Sequence, residues 1–571
     1  MTIRCTYCPE AVCFLGFAVD PPQDLRSENC KIIRLDWTFE TGQSACICND
    51  FREEHPRYLG HEAVENEDVK IRILQPTENV VGLQGRKWSL DRLDPGDAAA
   101  YPPAGKLFQI ISLAPIQSMD KKIVVIGAGP TGLGAAYRLQ ELGYDNWVLY
   151  EKSDDVGGHS TSHVDGNGFV WDEGGHVIFS HYPYFDKLID TMLGKEVHER
   201  IRESWIVKDG GWVPYPFQSN LRYLPKEVQV RCLVGAAKAS ANGAGKEAAN
   251  FREWILATFG EGIADAFMFP YNEKVWTTPL DQMSKGWIAD RVAVLDFKRL
   301  LENVLYERDD VAWGPNSKFK FPLHGGTGEI YRRMAACFPD KVKIGKKLAE
   351  IDLNRRQVSF ADGTGDSYDL LISTAPLDLV AKMIRPADNK LVDAAGGLEH
   401  NNLLVLGIGL KKKIETGRCW IYFTDADMPC YRATYFSHYS PFNVPNGDTG
   451  QYSSLMCEMS FKVDEKPNPE KVLDNVIDGL IKSTILEESD RQHIVSRYHR
   501  MVGYSYPIPT LGRDKALAVL QPALLEKGIY SRGRFGAWRY EIGNMDHSVL
   551  MGVEAVNNIL AGEKELVFHS S

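Results

Sequence analysis

The feature that most constrains the fold is a glycine-rich turn between an apolar strand and a helix. Ile123-Val-Val-Ile126 is typical of a short buried strand, and Gly127-Ala-Gly129-Pro-Thr-Gly132 follows it directly. A helical stretch from Gly132 to Leu142 then leads to a second apolar strand, Trp147-Val-Leu-Tyr150. Because strand, glycine turn, helix and strand follow one another in this order, the sequence predicts a Rossmann-type βαβ unit.

The spacing of the three glycines predicts a dinucleotide site. Gly127 permits a tight turn, Gly129 lets the backbone approach a pyrophosphate, and Gly132 lets the helix pack closely on the strand. The first helical turn, which contains Thr131, presents unpaired N–H groups and the positive end of the helix dipole to the phosphates. Glu151, at the end of the second strand, is expected to accept hydrogen bonds from the adenosine ribose.

A second glycine pair indicates which dinucleotide is bound. Val156-Gly157-Gly158-His159 follows Glu151 closely, and this region resembles the glutathione-reductase-like flavoproteins, in which such a pair accompanies FAD. The stretch Tyr368-Asp-Leu-Leu-Ile-Ser-Thr-Ala-Pro376 is similar to a second strand signature of those proteins. FAD is therefore predicted, with Gly158 and His159 among its contacts. NAD alone is the less favoured alternative.

Charge and cysteine usage exclude several classes of protein. A net charge of −11 argues against a nucleic-acid binder that works through a broad basic field. No apolar run is long enough to cross a bilayer, so no membrane span is expected. Cys5 and Cys8 have the spacing of metal ligands, but no second pair completes a site, so no metal is predicted. The later cysteines indicate a reducing, cytoplasmic compartment, and the oligomeric state is left open.

The predicted fold class is α/β, because strand and helix patterns both occur along the chain. A single hydrophobic core does not extend over 571 residues, so we expect more than one domain. We expect a Rossmann-type FAD-binding domain with an inserted helical domain and an antiparallel β-sheet domain. Asn250 and Glu253 form a capping-box-like helix start, and Gly260 is expected to close that helix. The predicted limits are 1–118 for a disordered or non-native extension, 119–200, 317–390 and 526–571 for the FAD-binding domain, 219–316 for the helical substrate domain, and 201–218 and 391–525 for the antiparallel sheet domain.

Five separated sequence motifs indicate which reaction the protein catalyses. They are Gly174-Gly-His-Val-Ile-Phe-Ser-His181, Trp212-Val-Pro-Tyr-Pro-Phe-Gln218, Phe267-Met-Phe-Pro-Tyr-Asn-Glu-Lys-Val-Trp276, Cys430-Tyr-Arg-Ala-Thr434 and Gly533-Arg-Phe-Gly-Ala-Trp-Arg-Tyr-Glu-Ile-Gly-Asn544. Together they resemble the eukaryotic type of UDP-galactopyranose mutase from Met119 to about Phe568. The resemblance implies that UDP-galactopyranose and UDP-galactofuranose are interconverted through a flavin N5–galactose adduct on reduced FAD, with NADPH as reductant. It also implies that the product supplies galactofuranose for cell-surface glycoconjugates.

The resemblance also implies roles for single residues. His176 and Gly175 would contact the isoalloxazine, with His176 orienting and tuning N5, while Arg291 and Arg432 would bind the diphosphate. Asn272 is expected to be buried and to need the polar partners that a uracil edge provides. Further cofactor contacts are implied for Leu348, Arg534, Asn544, Met545, Asp546 and Ser548. Substrate contacts are implied for Tyr215, Gln218, Phe267, Tyr271, Asn272, Trp276 and Asn316 on the uridine side and for Trp420, Tyr422, Tyr439, Tyr506 and Tyr540 around the diphosphate.

Two alternatives stay open. An FAD-dependent amine oxidase or protoporphyrinogen-oxidase-like oxidoreductase shares the glycine-rich start, but it would oxidise its substrate and has no use for two diphosphate-binding arginines. A catalytically silent flavoprotein that serves as a binding module is the other alternative. The presence of Arg291, Arg432 and His176 argues against it, since a decayed site would lose some of them.

Overall fold

The computed structural model describes residues 121–241, 247–288, 292, 294–311 and 318–569. The chain divides into two units, Met1–Ala114 and Pro115–Ser571. In the first unit the structure describes only the backbone of two antiparallel pairs, Thr2–Cys5 with Cys8–Phe14 and Val80–Val81 with Lys87–Trp88. The prediction of a disordered or non-native extension over residues 1–118 otherwise concerns positions outside the described residues.

A five-stranded parallel sheet forms the centre of the second unit. Its strands, in spatial order, are Val342–Lys343, Trp147–Tyr150, Ile123–Ile126, Leu370–Ser373 and Ile529–Ser531. Ile123–Ile126 is buried along its whole length, as expected of a central strand that is covered on both faces. The helix after the glycine turn begins at Pro130, two residues earlier than predicted, because proline suits a first helical position.

Both faces of the parallel sheet are covered by other elements. On one face, the helices Pro130–Glu141 and Met545–Ala561 touch at Gly552, where a Cβ atom would lie 2.0 Å from the carbonyl oxygen of Thr131. The other face shares its apolar core with a four-stranded sheet and three helices. These elements are the strands Gly365–Ser367, Gln357–Phe360, Leu348–Asp352 and Ile384–Arg385 and the helices Leu377–Met383, Asn389–Ala395 and Arg513–Glu526.

A seven-stranded sheet carries the substrate side of the molecule. Its strands, in spatial order, are Gly211–Pro214, Ser204–Lys208, Trp420–Phe423, Arg432–Tyr435, Ser453–Phe461, Asn402–Leu410 and Ile494–Val502. The prediction of an antiparallel sheet is wrong for one pair, since Ser204–Lys208 and Trp420–Phe423 run parallel. Parallel neighbours need a long crossover, and here the crossover contains the helical region. Helix Pro469–Lys482 packs on one face of the sheet.

The helical region contains the helices Lys226–Ala241, Phe251–Ile263, Phe269–Trp276 and Phe297–Leu305. Asn250 caps its helix as predicted, because its side chain accepts a hydrogen bond from the backbone N–H of Glu253 at 2.9 Å. Gly260 does not end that helix, which continues through a kink to Ile263. Gly260 has φ +76°, and a Cβ there would lie 2.1 Å from the carbonyl carbon of Gly235. Glycine at this position therefore serves the close crossing of two helices.

The remaining helices and strands connect these layers. They are the helices Pro183–Leu193, Gly328–Ala336 and Leu566–His569 and the paired strands Ser162–Val164 with Val170–Asp172, Val197–Ile201 with Lys318–Pro322, and Glu399–His400 with Pro507–Ile508. The predicted α/β class, a Rossmann-type domain with further helical and sheet layers, is confirmed, while the residue limits of the domains stay a prediction. Within the described part of the chain, no helix is both long enough and apolar enough to cross a bilayer.

Asp172, a buried carboxyl group just before the glycine-histidine string, leads to a prediction about pH. Burial raises the pKa of Asp172 to about 7, although the hydroxyls of Ser162 and Thr327 donate to it and oppose the rise. The folded protein therefore keeps a proton that the unfolded chain releases. The stability contributed by this group is present below its ordinary pKa of 3.8 and is lost as the pH rises through 7.

We compare the unfolding free energy of Asp172→Asn with that of the wild type. The difference is expected to shift in favour of the variant by about 2 to 3 kcal/mol as the pH rises from about 5 to about 8. Urea unfolding of both proteins across this range measures the difference. A difference that does not change with pH would contradict the assignment of a raised pKa to Asp172.

Candidate active site

A cavity of about 740 Å³ lies at the carboxyl ends of the parallel strands. This edge is where ligands bind in open α/β sheets. The cavity extends from the glycine turn and Glu151 to the glycine-histidine string and the seven-stranded sheet. The predicted residues that line it are Gly127, Gly129, Thr131, Glu151, Gly158, His159, Gly175, His176, Leu348, Arg432, Tyr506, Arg534, Tyr540, Asn544, Met545 and Ser548.

The glycine turn has the geometry that its spacing predicts. Gly127 has φ +97°, and a Cβ there would lie 2.1 Å from Oγ1 of Thr374. Gly132 does not line the cavity, but a Cβ on it would lie 1.8 Å from the carbonyl oxygen of Gly127, so glycine is required where the helix passes the turn. A Cβ on Gly129 would lie 3.8 Å from the Cα of Gly158 and 3.9 Å from the carbonyl oxygen of Gly157. Gly129 also lines the cavity, so its backbone is open to a phosphate.

Glu151 is fixed at the other end of the turn. Its carboxylate accepts hydrogen bonds from the backbone N–H groups of Ala128 at 2.7 Å and Ser153 at 2.9 Å. The side chain is buried and lines the cavity. Since each carboxylate oxygen can accept two hydrogen bonds, both oxygens keep capacity for ligand hydroxyls.

The loop Gly174–His176 forms the wall of the cavity between the two sheets. Gly174 has φ +127°, and Nδ1 of His176 is buried with no hydrogen-bond partner among the described residues. Burial lowers the pKa of His176 to about 3, and the charges of Arg534, His159 and Arg432 add to this effect. His176 is therefore neutral near pH 7. A neutral imidazole with an unused nitrogen can orient a ligand through a hydrogen bond, and it is poorly suited to carry a proton.

Arg432 is held by a carboxylate that sequence analysis missed. Nη2 of Arg432 donates to Oε1 of Glu458 at 2.7 Å, and Nε donates to Oε2. The two residues are directly opposite on neighbouring strands, and Glu458 is 1% exposed. Burial alone would lower the pKa of Arg432, but pairing with Glu458 raises it well above its ordinary value. Within the described residues Nη1 has no hydrogen-bond partner, so it can bind an anion.

Glu458 also links Arg432 to the glycine loop. The backbone N–H of Gly175 donates to Oε1 of Glu458 at 3.4 Å, and a Cβ on Gly175 would lie 3.1 Å from Nη2 of Arg432. One signal could have revealed Glu458 from the sequence, because it is the only charged residue in the apolar strand Ser453–Phe461. A buried charge inside such a strand requires a partner.

The predicted substrate residues form an aromatic cluster, defined as Tyr215, Phe267, Tyr271, Trp276, Trp420, Tyr422, Tyr439, Tyr506 and Tyr540. Tyr271 stacks on Phe267 with centroids 5.3 Å apart, and Tyr215 lies 5.2 Å from Tyr422. Trp276 lies 4.9 Å from Tyr540. Since Tyr506 and Tyr540 line the cavity, the structure brings this cluster to the cavity wall.

The part of the aromatic cluster nearest Arg432 contains buried polar atoms that no described residue satisfies. The Arg432 guanidinium lies 6.0 Å from the ring of Trp420, and Trp420 lies 6.1 Å from Tyr439. Nε1 of Trp420 and the hydroxyl of Tyr439 are buried and have no hydrogen-bond partner in the described part of the chain. Buried polar groups normally have partners, so these two atoms indicate that a polar ligand belongs here.

Several predicted residues are placed differently from expectation. Asn272 is only half-buried. Its amide nitrogen donates to the carbonyl of Met268, just before its helix, at 2.8 Å, and its amide oxygen accepts from Nε1 of Trp276 at 3.3 Å. The expectation that Asn272 is buried is therefore wrong, while its contact with the substrate stays a prediction. Gln218 is buried. The carboxylate of Asp546 does not line the cavity. Arg291 and Asn316 lie outside the described residues.

Comparison with known proteins identifies the family. Residues 130–560 match the model of the flavin-containing amine oxidoreductase family. A crystal structure of reduced UDP-galactopyranose mutase is 43% identical in sequence, with a TM-score of 0.75 over 79% of this chain and 96% of that chain. The chain belongs to the UDP-galactopyranose mutase family. As a member of this flavin-containing family it is an isomerase, and its cofactor is FAD.

More distant relatives share only the flavoprotein fold. A putative protoporphyrinogen oxidase from Exiguobacterium sp. 255-15 is 16% identical, with a TM-score of 0.58 over 78% of this chain and 99% of that chain. Protoporphyrinogen oxidase 2 from Arabidopsis thaliana is 34% identical over 99 residues, which are 17% of this chain and 19% of that protein. The match thus spans less than a fifth of this relative. The oxidoreductase alternative receives weak support beside the mutase family.

The described residues of the mutase-family chain fit FAD. The turn at Gly127 and Gly129 leaves open backbone for a pyrophosphate, Glu151 offers carboxylate oxygens, and the buried Nδ1 of His176 has no partner among the residues that the structure describes. These groups all line the same cavity. The contacts of single residues with FAD stay predictions.

Proposed function

We propose that this protein interconverts UDP-galactopyranose and UDP-galactofuranose while its FAD is reduced. The observation that carries the proposal is the 43% identity with a UDP-galactopyranose mutase across 96% of that chain. When bound, reduced FAD supplies an electron-rich nitrogen as nucleophile toward the sugar. The protein therefore needs no nucleophilic side chain of its own, and the cavity wall presents instead the fixed guanidinium of Arg432 and a set of aromatic hydroxyls.

Arg432 is the residue that we assign to the diphosphate. As the bond between sugar and diphosphate breaks, negative charge grows on the leaving group, and a cation already in place lowers the barrier. Glu458 fixes two of the guanidinium nitrogens, so Nη1 is presented without further loss of side-chain freedom. We assign Arg291 to the same anion by the family resemblance.

The aromatic cluster is proposed to bind the nucleotide and sugar. Tyr439 and Trp420 offer donors that have no partner among the described residues. Phe267 is stacked between Phe217 and Tyr271, so it supports the ring of Tyr271, which we assign to the packing of the planar base. His176 is proposed to orient the flavin ring through its neutral imidazole.

The reductant and cellular setting belong to the same proposal. We infer that NADPH reduces the flavin, that the enzyme works in the cytoplasm, and that galactofuranose is delivered to cell-surface glycoconjugates. The family resemblance supports the reductant and the fate of galactofuranose, and the cysteine usage supports the cytoplasmic setting.

The function is tested by incubating the purified holoprotein with UDP-galactofuranose and separating the nucleotide sugars by HPLC. We expect conversion to UDP-galactopyranose after reduction by dithionite or NADPH and none with oxidised flavin, because only the reduced ring is nucleophilic. Oxygen uptake with amines or protoporphyrinogen serves as the control for the oxidase alternative. Equal conversion with oxidised flavin would overturn the proposal.

A further inference from the structure

A cluster of three potential metal ligands lies outside the cavity, and we call it the His–Asp–His cluster. It consists of His181, Asp546 and His547, whose ligand atoms all lie within 4.8 Å of one another. Nδ1 of His181 is 2.7 Å from Oδ2 of Asp546, and Nδ1 of His547 is 3.0 Å from Oδ1. Both carboxylate oxygens thus face an imidazole nitrogen.

The cluster joins two segments that are far apart in sequence. His181 ends the string Gly174–His181, and Asp546 and His547 lie in the first turn of the helix Met545–Ala561. The backbone N–H of His181 also donates to Oδ2 of Asp546, at 3.0 Å. Asp546 is fully buried, whereas the side chain of His181 is 41% exposed, so the cluster is open to solvent on one side.

We propose that the His–Asp–His cluster binds one divalent transition-metal ion, with Zn²⁺ as its best-suited occupant. Two imidazole nitrogens and one carboxylate oxygen are a ligand set that zinc accepts, and the exposed side leaves a fourth position for water. The lone pair of each Nδ1 binds the metal once its proton resides on Nε2. The sequence analysis predicts no metal. It could not detect this cluster, because His181 and Asp546 are 365 positions apart and give no local spacing pattern.

The distances require only a small adjustment. Zinc lies about 2.0 to 2.2 Å from nitrogen and oxygen ligands, which places the ligand atoms of a tetrahedral site on the order of 3.3 Å apart. Nδ1 of His181 lies 2.7 Å from Oδ2 and Nδ1 of His547 lies 3.0 Å from Oδ1, and the ligand atoms all lie within 4.8 Å of one another. Binding through one carboxylate oxygen therefore requires one imidazole to turn toward the oxygen that the other imidazole already faces. The ring of His181 is partly exposed and can make this movement.

A metal at this position would act on the structure of the cavity wall. His181 follows His176 by five positions, and the helix that carries Asp546 and His547 also supplies Met545 and Ser548 to the cavity. A metal bond between these segments would fix the glycine-histidine string against that helix. None of the three ligands belongs to the described lining of the cavity, so the ion would stabilise the site without entering the reaction.

The experiment titrates Zn²⁺ into the chelator-treated holoprotein by isothermal titration calorimetry and counts bound zinc after gel filtration. The full chain is used, and because Cys5 and Cys8 can also bind zinc, the quantity measured is the difference between variants. We expect wild type to bind one more equivalent than His181→Ala or His547→Ala. Loss of one ligand should weaken the site by more than the roughly 10- to 100-fold that loss of an outer-shell partner costs.

His499→Ala serves as the matched control, because His499 is an equally exposed histidine on the seven-stranded sheet, beside Glu470. We expect it to keep the full zinc content. Co²⁺ in the dithionite-reduced protein gives a second measurement, since tetrahedral cobalt has intense visible bands that the aqua ion lacks. We expect these bands to be weaker in both cluster variants by the share of one bound ion. Equal zinc content in wild type and cluster variants, or cobalt bands of equal intensity in wild type and either variant, would overturn the proposal.

Discussion

Arg432→Ala is expected to lower turnover of UDP-galactofuranose by about 100- to 1000-fold, the range found when one preorganised charge-stabilising donor is removed. FAD content, measured as the ratio of flavin to protein absorbance, should remain near that of the wild type, because Arg432 contacts the seven-stranded sheet and not the glycine turn. HPLC of the reduced protein with substrate gives the rate. A matching loss of flavin would place Arg432 in the cofactor site.

The buried partner of Arg432 must be included in this experiment. Arg432→Ala leaves Glu458 buried without a cation, which alone can cost about 3 to 5 kcal/mol of stability. The double variant Arg432→Ala with Glu458→Gln removes both charges and should recover most of the stability but none of the turnover. Arg497→Ala, on the same sheet and paired with Glu470 and Asp474, is the control and should retain full activity. Recovery of turnover in the double variant would refute the assigned role.

Gly132→Ala is expected to abolish FAD binding or folding. The new methyl carbon would lie 1.8 Å from the Gly127 carbonyl oxygen, and both atoms belong to a turn that cannot yield without moving the strand. Overpacking of this kind costs at least about 3 kcal/mol here. We expect little soluble protein, or soluble protein with less than about a tenth of the wild-type flavin.

Gly166→Ala is the matched control, because Gly166 is exposed and a Cβ there would meet nothing within 4 Å. Its expression, flavin content and melting temperature should equal those of the wild type. Flavin-loaded Gly132→Ala protein with an unchanged melting temperature would show that the helix and turn are not as close as described.

The parts of the molecule that the sequence predicts well are those coded by local pattern. The strands Ile123–Ile126 and Trp147–Tyr150 and the cap at Asn250 depend on neighbours within a few positions. The prediction for Gly260 is wrong because this glycine is required by a close contact with Gly235 on another helix. Local patterns do not reveal tertiary contacts of this type.

The candidate site follows the same rule. Gly127, Gly129 and Glu151 could be assigned from spacing alone, whereas Arg432 required a family resemblance because an isolated arginine carries no signal. Glu458 was missed because its partner is on a neighbouring strand. The half-buried position of Asn272, whose amide is already bonded to Met268 and Trp276, could not be foreseen either.

The parallel pairing of Ser204–Lys208 with Trp420–Phe423 has a consequence for folding on the ribosome. The hairpin that Ser204–Lys208 forms with Gly211–Pro214 is complete early, but its second edge has no partner until about 200 further residues have been translated. At about 5 to 20 residues per second, that edge stays open for on the order of 10 to 40 seconds. Nascent chains in that interval present a bare strand, so chaperone occupancy should peak before Trp420 leaves the exit tunnel.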